Sequence, residues 1–323
     1  MRAVVCRDWG PVETLKIENM AKPSPGRHEM VLAVKASAVN FADSLMVQGK
    51  YQTRPEFPFA PGLEASGTVL RVGEGVTRFR TGDRVMALLD HSGFAEQTLA
   101  REDQTFPLPA GMDFVTGGAF LLAYLSSHVA IRWQGRLEPG ETMLVLGAAG
   151  GVGLTAVEIG KAMGARVIAC ASSAEKLAIC RDHGADACID YTTENLTERV
   201  MALTDGRGVD VCYDPVGGDL FDAAVSSLGW GGRILVIGFV AGIPKLATNR
   251  LLVKHRAALG SSLRYFRFDR PDQLRVSAEE LIGWYGEGKL KPLVSETFPL
   301  DRAVEAIQVL TSRRARGKVV VTV

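Results

Sequence analysis

The sequence predicts a two-domain α/β protein in which a parallel α/β unit is inserted into a mostly β domain. At 323 residues the chain exceeds the size at which one hydrophobic core usually keeps growing. Short apolar runs broken by glycine and proline fill the first third, whereas from about residue 141 apolar runs alternate with stretches of helix length. A final apolar run at 318–323 is interpreted as a strand that returns to the first domain.

The β domain is predicted from short strand-like runs separated by turn residues. Many such runs in succession are typical of a β barrel or sandwich. We expect this domain at residues 1–121 and, after the insertion, at 262–323. The candidate strands of its first part are 3–6, 30–34, 67–72 and 84–89.

The inserted unit is expected at residues 122–261. Apolar residues recur at helical spacing from Val152 to Met163, between the first two candidate strands. Strands that alternate with such helices predict a parallel sheet with crossover helices. The candidate strands are 143–146, 166–170, 209–213 and 233–237.

Composition indicates an ordinary globular protein. The apolar fraction is 47%, the charged fraction is 23% and the net charge is +1, so neither nucleic acid nor a membrane surface is an expected partner. The N-terminal segment lacks the apolar core of a signal peptide, and we expect a cytoplasmic protein. The five cysteines include no CxxC pair, which argues against a disulfide framework or a structural zinc lobe.

A glycine-rich turn follows the first strand of the inserted unit. The run from Met143 to Gly153 reads as a strand, a GxxGxxG turn and the start of a helix. Glycines let a pyrophosphate approach the backbone, and the helix N-terminus offers N–H groups to it. The pattern predicts dinucleotide binding through Gly147, Gly150, Gly151, Val152 and Gly153.

The tip of the second strand indicates which dinucleotide is bound. An NAD site normally has a carboxylate there, on the ribose 2′-hydroxyl. Here Ser172 and Ser173 follow the strand and Lys176 lies one turn later, a set that can bind a 2′-phosphate. NADPH is therefore favoured over NADH. The alternative is that Ser173 caps the next helix and Lys176 is solvated.

Several segments together resemble one protein family along nearly the whole chain. They are GEGV (73–76), TGDRV (81–85), LEPGETMLVLGAAGGVG (137–153), YDPVGG (213–218), LVIGF (235–239) and GKVVV (317–321). The chain resembles the quinone oxidoreductase, or zeta-crystallin-like, branch of the medium-chain dehydrogenases/reductases. That resemblance implies a Rossmann NADP-binding domain inserted in a GroES-like catalytic domain, and a homodimer.

The resemblance also implies that no catalytic zinc is bound. Zinc-dependent relatives have a cysteine and a histidine where this chain has Asn40 and Leu63. Leucine cannot ligate zinc, and asparagine is a poor ligand for it. No metal site is therefore predicted.

The family pattern implies that Asn40, Asp43 and Tyr51 lie around the nicotinamide and the substrate. Asn40 and Tyr51 would donate hydrogen bonds to an acceptor oxygen as negative charge builds on it. Asp43 would orient its neighbours. The alternative for Tyr51 is a loop aromatic that covers the core.

Further cofactor contacts are expected just before the first strand of the inserted unit, at the ends of its later strands and at a basic cluster near the C-terminus. For His128, Tyr191 and Arg313 the alternatives are a structural histidine, strand-end packing and a solvated basic face. The expected contacts are Ser126, His128, Tyr191, Val216, Gly238, Phe239 and Arg313.

The expected activity is NADPH-dependent reduction of a quinone or a similar conjugated carbonyl acceptor, without zinc. A first alternative is reduction of the double bond of an enone, an alkenal or an acryloyl thioester. A second alternative is an NADPH-binding protein without turnover.

Overall fold

The computed structural model describes residues 1–312 and 315–323. No helix within these ranges is both long and apolar enough to cross a membrane. The strands are β1 (Arg2–Val5), β2 (Lys16–Asn19), β3 (Glu29–Ala38), β4 (Glu64–Val72), β5 (Arg84–Leu88), β6 (Gln97–Arg101), β7 (Thr105–Pro107), β8 (Thr142–Val145), β9 (Arg166–Ala171), β10 (Ala187–Asp190), β11 (Val209–Asp214), β12 (Leu228–Val236), β13 (Ala257–Gly260), β14 (Val294–Pro299) and β15 (Lys318–Thr322).

The α-helices are α1 (Phe41–Val47), α2 (Phe114–Gly117), α3 (Leu121–His128), α4 (Gly151–Ala162), α5 (Ala174–Asp182), α6 (Leu196–Leu203), α7 (Leu220–Ser227), α8 (Asn249–Leu252), α9 (Leu263–Phe268), α10 (Pro271–Gly286) and α11 (Ala303–Thr311). A π-helix, Val129–Gln134, follows α3. The chain forms two compact units: unit 1 comprises Met1–Leu122 and Pro292–Val323, and unit 2 comprises Ala123–Lys291.

Unit 1 is built on a β-sheet of order β14-β15-β3-β4-β5-β7, with β6 paired to β3. Strand β15 pairs in parallel with β14 and antiparallel with β3, so it lies inside the sheet. Val319, Val320 and Val321 of β15 are fully buried, as expected for a strand covered on both faces. The predicted return of the 318–323 run to the first domain is confirmed.

Unit 2 contains a six-stranded sheet of order β10-β9-β8-β11-β12-β13 in which every pairing is parallel. Its strands are apolar because helices cover both faces of such a sheet. The chain runs outward from β8 to β10 and then crosses back to β11, on the other side of β8. The order of strands therefore reverses between β8 and β11, which is where open α/β sheets bind ligands.

The second domain boundary differs from the prediction. We expected the return to the first domain at residue 262, whereas unit 2 extends to Lys291. The reason is α10, which buries Leu274, Ala278 and Leu281. Its Ser277 also accepts a hydrogen bond from Trp133 Nε1, 2.9 Å away, in the same unit.

Candidate functional site

The glycine turn lies at the strand-order reversal of unit 2. Gly147 has φ +56°, and a Cβ there would lie 2.9 Å from Val216 Cγ2. A Cβ on Gly153 would lie 2.2 Å from the carbonyl oxygen of Gly147, so α4 packs on the turn at a distance that only glycine allows. The N-cap, Gly150, has no side chain with which to cap the first turn of α4. N–H groups of that turn are thus left to bind an anion.

Buried hydroxyls support the turn from within unit 2. Ser127 Oγ lies 3.0 Å from the carbonyl oxygen of Val152, 2.7 Å from Thr155 Oγ1 and 2.8 Å from Tyr213 OH. Burial raises the pKa of Tyr213, so its hydroxyl stays protonated. The network holds the start of α4 in place. Sequence reasoning missed it because its members lie far apart along the chain.

The predicted phosphate-binding groups meet at one edge of the unit 2 sheet. Lys176 Nζ lies 3.5 Å from Ser172 Oγ, which follows β9. The Tyr191 N–H, just after β10, donates to the carbonyl oxygen of Ala171, so the ends of the two strands lie side by side. Ser173 is the N-cap of α5 and accepts from the Lys176 N–H at 3.3 Å. Its hydroxyl has the capping role foreseen as the alternative.

The loops after β11 and β12 are joined by hydrogen bonds. Asp214 Oδ1 accepts from the N–H groups of Val216 and Gly217 at 2.8 and 2.9 Å. The Gly238 N–H donates to the carbonyl oxygen of Asp214, and Phe239, which follows, is 50% exposed. Val216, Gly238 and Phe239 therefore share the same sheet edge as the glycine turn. The buried Asp214 carboxyl has a raised pKa because it is desolvated.

His128 does not fit its predicted role as a cofactor ligand. Its side chain is fully buried, and Nε2 lies 3.1 Å from Glu280 Oε2. Its ring packs against Trp284, with centroids 5.4 Å apart. These contacts bind α3 to α10, so the structural alternative holds. Ser126 is partly exposed beside Ser127, and Arg313 lies outside the described residues.

A buried charged cluster forms the candidate catalytic site of unit 1. Lys318 Nζ lies 2.5 Å from Asn40 Oδ1 and 3.1 Å from Glu64 Oε1. Glu64 Oε2 accepts from the Leu122 N–H at 2.9 Å. We call Asn40, Glu64 and Lys318 the acceptor cluster. Asn40 directly precedes α1, Glu64 is the first residue of β4 and Lys318 is the first residue of β15. The packing of these three elements brings the cluster together.

The amide of Asn40 is fully hydrogen-bonded within unit 1. Nδ2 donates to the carbonyl oxygen of Ala38 at 3.2 Å and to Glu64 Oε1 at 3.1 Å, while Oδ1 accepts from Lys318. The prediction that Asn40 donates directly to an acceptor oxygen is therefore wrong for this geometry. Asn40 instead fixes its charged neighbours.

Asp43 ties two backbone segments together. Its side chain is fully buried, Oδ2 accepts from the Asn40 N–H at 2.7 Å and Oδ1 accepts from the Gly62 N–H at 2.9 Å. Burial raises its pKa from 3.8 to about 7, although both N–H groups and Lys318 favour the ionised form. Asp43 thus fixes the backbone at Asn40 and at Gly62, and its orienting role in the site stays a prediction. Tyr51 is partly buried and packs against the core of unit 1, and its predicted place beside the substrate stays a prediction.

Asn40 and Leu63 stand where zinc-dependent relatives carry metal ligands. In the described part of the chain, no three His, Cys, Asp or Glu side chains are grouped so that they could hold a metal ion. Leu63 is buried in the core of unit 1. Sequence reasoning missed Glu64 and Lys318, although Glu64 follows Leu63 directly and Lys318 lies within the quoted segment GKVVV.

Two family models match the chain. The "Alcohol dehydrogenase GroES-like domain" model matches residues 26–134, and the "Zinc-binding dehydrogenase" model matches residues 151–279. The latter name covers the domain architecture and says nothing of the residues at 40 and 63 of this chain.

The relatives are similar over nearly the full length. The quinone oxidoreductase-like protein 2 homolog of Nematostella vectensis is 38% identical, over 99% of this chain and 88% of that protein. The quinone oxidoreductase of Pseudomonas aeruginosa is 34% identical, over 97% and 96%. The structure of Escherichia coli quinone oxidoreductase complexed with NADPH superimposes with a TM-score of 0.93 at 28% identity, covering all of both chains. The expected GroES-like and Rossmann architecture is thereby confirmed, and the chain belongs to the quinone oxidoreductase family of the medium-chain dehydrogenases/reductases.

Proposed function

We propose that the chain is an NADPH-dependent oxidoreductase that reduces a quinone or a similar conjugated carbonyl acceptor without zinc. The observation that carries the proposal is the arrangement at one edge of the unit 2 sheet. The glycine turn follows β8, and Ser172, Lys176 and Tyr191 lie after the neighbouring strands β9 and β10. The complex of the Escherichia coli relative with NADPH supports the choice of cofactor.

The residues present fit NADPH. The uncapped first turn of α4 would bind the pyrophosphate, and no side chain on Gly147, Gly150 or Gly153 obstructs it. Ser172 and Lys176 would bind the 2′-phosphate by a hydrogen bond and by charge, beside the Tyr191 ring. Val216, Gly238 and Phe239 would line the nicotinamide. When bound, NADPH supplies the hydride; the protein binds and orients the reactants.

Zinc independence is supported by the acceptor cluster. Asn40 Oδ1 and Glu64 Oε1 are already bonded to the ammonium of Lys318, and a metal ion would have to displace that cation. Leu63 offers no ligand atom. In unit 1 a charged side chain, and not a zinc ion, would therefore stabilise the negative charge that develops on the substrate oxygen.

A conjugated double bond is the second candidate acceptor. An enone, an alkenal or an acryloyl thioester also accumulates negative charge on a carbonyl oxygen when it accepts a hydride. The acceptor cluster would stabilise this negative charge in the same way for each of these substrates. A panel of quinones, enones and thioesters with NADPH separates them, and absence of turnover throughout the panel would favour the NADPH-binding protein without catalysis.

The phosphate-binding tip gives the sharpest test. Lys176→Ala is expected to weaken NADPH binding about 10- to 100-fold, because a charge-assisted hydrogen bond is lost, and to change NADH binding little. Dissociation constants are measured by nicotinamide fluorescence. The control is Lys161→Ala, which removes a lysine paired with Asp186 elsewhere on unit 2. Equal affinity of the wild type for both cofactors would contradict the proposal, as would stoichiometric zinc or loss of turnover on treatment with a chelator.

A homodimer is the proposed assembly. Strand β13 is the edge of the unit 2 sheet, and an edge strand presents unpaired backbone groups. Large apolar side chains that precede β13 in the chain are highly exposed: Trp230 at 71%, Ile243 at 79%, Leu252 at 78% and Val253 at 66%. Such a concentration of exposed apolar residues favours a protein interface.

A further inference from the structure

Lys318 is held rigidly where unit 1 resumes its sheet. Its N–H donates to the carbonyl oxygen of Leu293 at 2.8 Å. The preceding Gly317 has φ +65°, and a Cβ there would lie 2.5 Å from the same oxygen. Only glycine allows this approach, so the backbone fixes the start of β15. The Lys318 side chain, 9% exposed, is thereby directed to Asn40 and Glu64.

Hydrogen-bond accounting singles out this lysine. The Asn40 amide uses both N–H groups internally, and Asp43 and Glu64 are acceptors whose oxygens receive internal donors. An ammonium carries three N–H groups. Partners among the described residues take two from Lys318. Within this set of side chains, Lys318 alone retains a donor for a further oxygen.

We propose that Lys318 is the catalytic electrophile of the acceptor site, donating its third N–H to the substrate oxygen that gains negative charge. The inference rests on the proposed function and replaces the predicted donation by Asn40. Asn40 and Glu64 hold the ammonium in place, so no reorganisation is needed when charge develops. Glu64 pairs with the ammonium at 3.1 Å, and the Leu122 N–H donates to the other carboxylate oxygen of Glu64.

The reaction balances without proton loss from the lysine. NADPH would transfer a hydride, which consists of two electrons and one proton, to the quinone. NADPH thereby becomes NADP⁺, and the quinone carries a negative charge on one oxygen. The ammonium of Lys318 stabilises this oxyanion by charge and by its hydrogen bond. Water then protonates the oxygen, and Lys318 remains an ammonium. In an enone the same contact would stabilise the enolate oxygen.

The decisive variant is the double substitution Lys318→Met with Glu64→Gln. It removes both charges together, because Lys318→Met alone would leave a buried carboxylate without its cation and could unfold unit 1. Lys35→Met is the matched control, since Lys35 is exposed on the neighbouring strand β3. Lys318→Arg is the conservative variant. Thermal melting shows which variants are folded.

Steady-state kinetics give the first readout. The folded double variant is expected to lose about 100-fold or more in kcat, with unchanged NADPH affinity, and Lys318→Arg is expected to recover part of that loss. The control should keep wild-type kcat. A double variant that is folded and retains kcat within about threefold of the wild type would overturn the proposal and make the cluster a structural ion pair.

Binding of para-nitrophenol gives a readout that needs no turnover. Its yellow phenolate resembles the oxyanion of the reduced acceptor, and its absorbance reports the ratio of phenolate to phenol. Wild-type protein is expected to raise this ratio at least about tenfold at neutral pH, and the double variant is expected not to. No raised ratio in the wild type, or the same ratio in both proteins, would overturn the assignment. A Lys318-dependent ratio in a protein that reduces no acceptor would instead contradict the proposed function alone.

Discussion

At the scale of single residues, Asp43 shows how a carboxyl group can hold two backbone segments together. Both of its oxygens accept backbone N–H groups, and it has no exposed surface. Its pKa rises to about 7 chiefly because burial penalises the charged form. A carboxyl of this kind links the loop before α1 to the loop before β4, and the stability of that link depends on pH.

The pH dependence of unfolding tests this role. Because the folded pKa of Asp43 lies above its ordinary value of 3.8, its contribution to stability is complete below that value and is lost as pH rises through about 7. Asp43→Asn should therefore flatten the fall in unfolding free energy between pH 4 and pH 8. It should also cost about 1–3 kcal/mol at low pH, since one N–H loses its acceptor. Urea titrations across this range measure both effects, and identical slopes would contradict the assignment.

The sequence indicated candidate residues for the site but gave no information about their hydrogen-bond partners. Asn40 and Asp43 were predicted from their place in a family pattern. The partner of Asn40 is Lys318, 278 residues away, and only the sheet pairing of β15 with β3 brings them together. A local motif therefore suggested that Asn40 donates, whereas the complete set of hydrogen bonds shows that it is already engaged.

At the scale of elements, the turn from β8 to α4 was predictable because the strand, the glycines and the helix are consecutive in the chain. The parallel pairing of the strands in unit 2 was also predictable, since apolar strands that alternate with helices indicate a parallel sheet. The buried hydroxyls of Ser127, Thr155 and Tyr213 were not predictable, because they come from three different elements. At Gly153, α4 packs so closely on Gly147 and Ala148 of the turn after β8 that no space is left for a Cβ.

Substitution of Gly153 tests this packing. Gly153→Ala is expected to destabilise unit 2 by about 1–3 kcal/mol and to weaken NADPH binding, because its Cβ would lie 2.2 Å from a backbone oxygen that cannot move freely. Gly283→Ala, in the open interior of α10, is the control and should be neutral or stabilise by up to about 1 kcal/mol. Chemical denaturation and fluorescence titration provide the measurements. A stable Gly153→Ala variant with normal NADPH affinity would show that the packing is looser than described.

At the scale of the whole molecule, the insertion of one unit into the other was predicted, but its far boundary was not. Residues 262–291 have a mixed pattern that does not mark a domain change. Their assignment to unit 2 depends on the burial of Leu274, Ala278 and Leu281 of α10 and on the hydrogen bond from Trp133 of the π-helix to Ser277. Such contacts are tertiary and leave no local signal.

The proposed homodimer is tested at the exposed apolar residues before β13. Wild-type protein is expected to sediment as a dimer at micromolar concentration, and Leu252→Glu with Val253→Glu is expected to yield monomer, because burial of two carboxylates opposes association. Val276→Glu, on the exposed face of α10, is the control and should remain dimeric. A monomeric wild type, or a double variant that is still dimeric, would contradict an interface at this edge.

The position of β15 inside the unit 1 sheet has a consequence for how the protein is made. During synthesis the ribosome releases all of unit 2 before β14 and β15, so the Rossmann sheet can fold while the sheet of unit 1 still lacks the strand between β14 and β3. Lys318 begins that strand. A nascent chain would thus form its nucleotide-binding fold early, whereas the proposed acceptor site is complete only after β15 has joined the sheet. Incomplete chains would therefore bind NADPH without oxidising it.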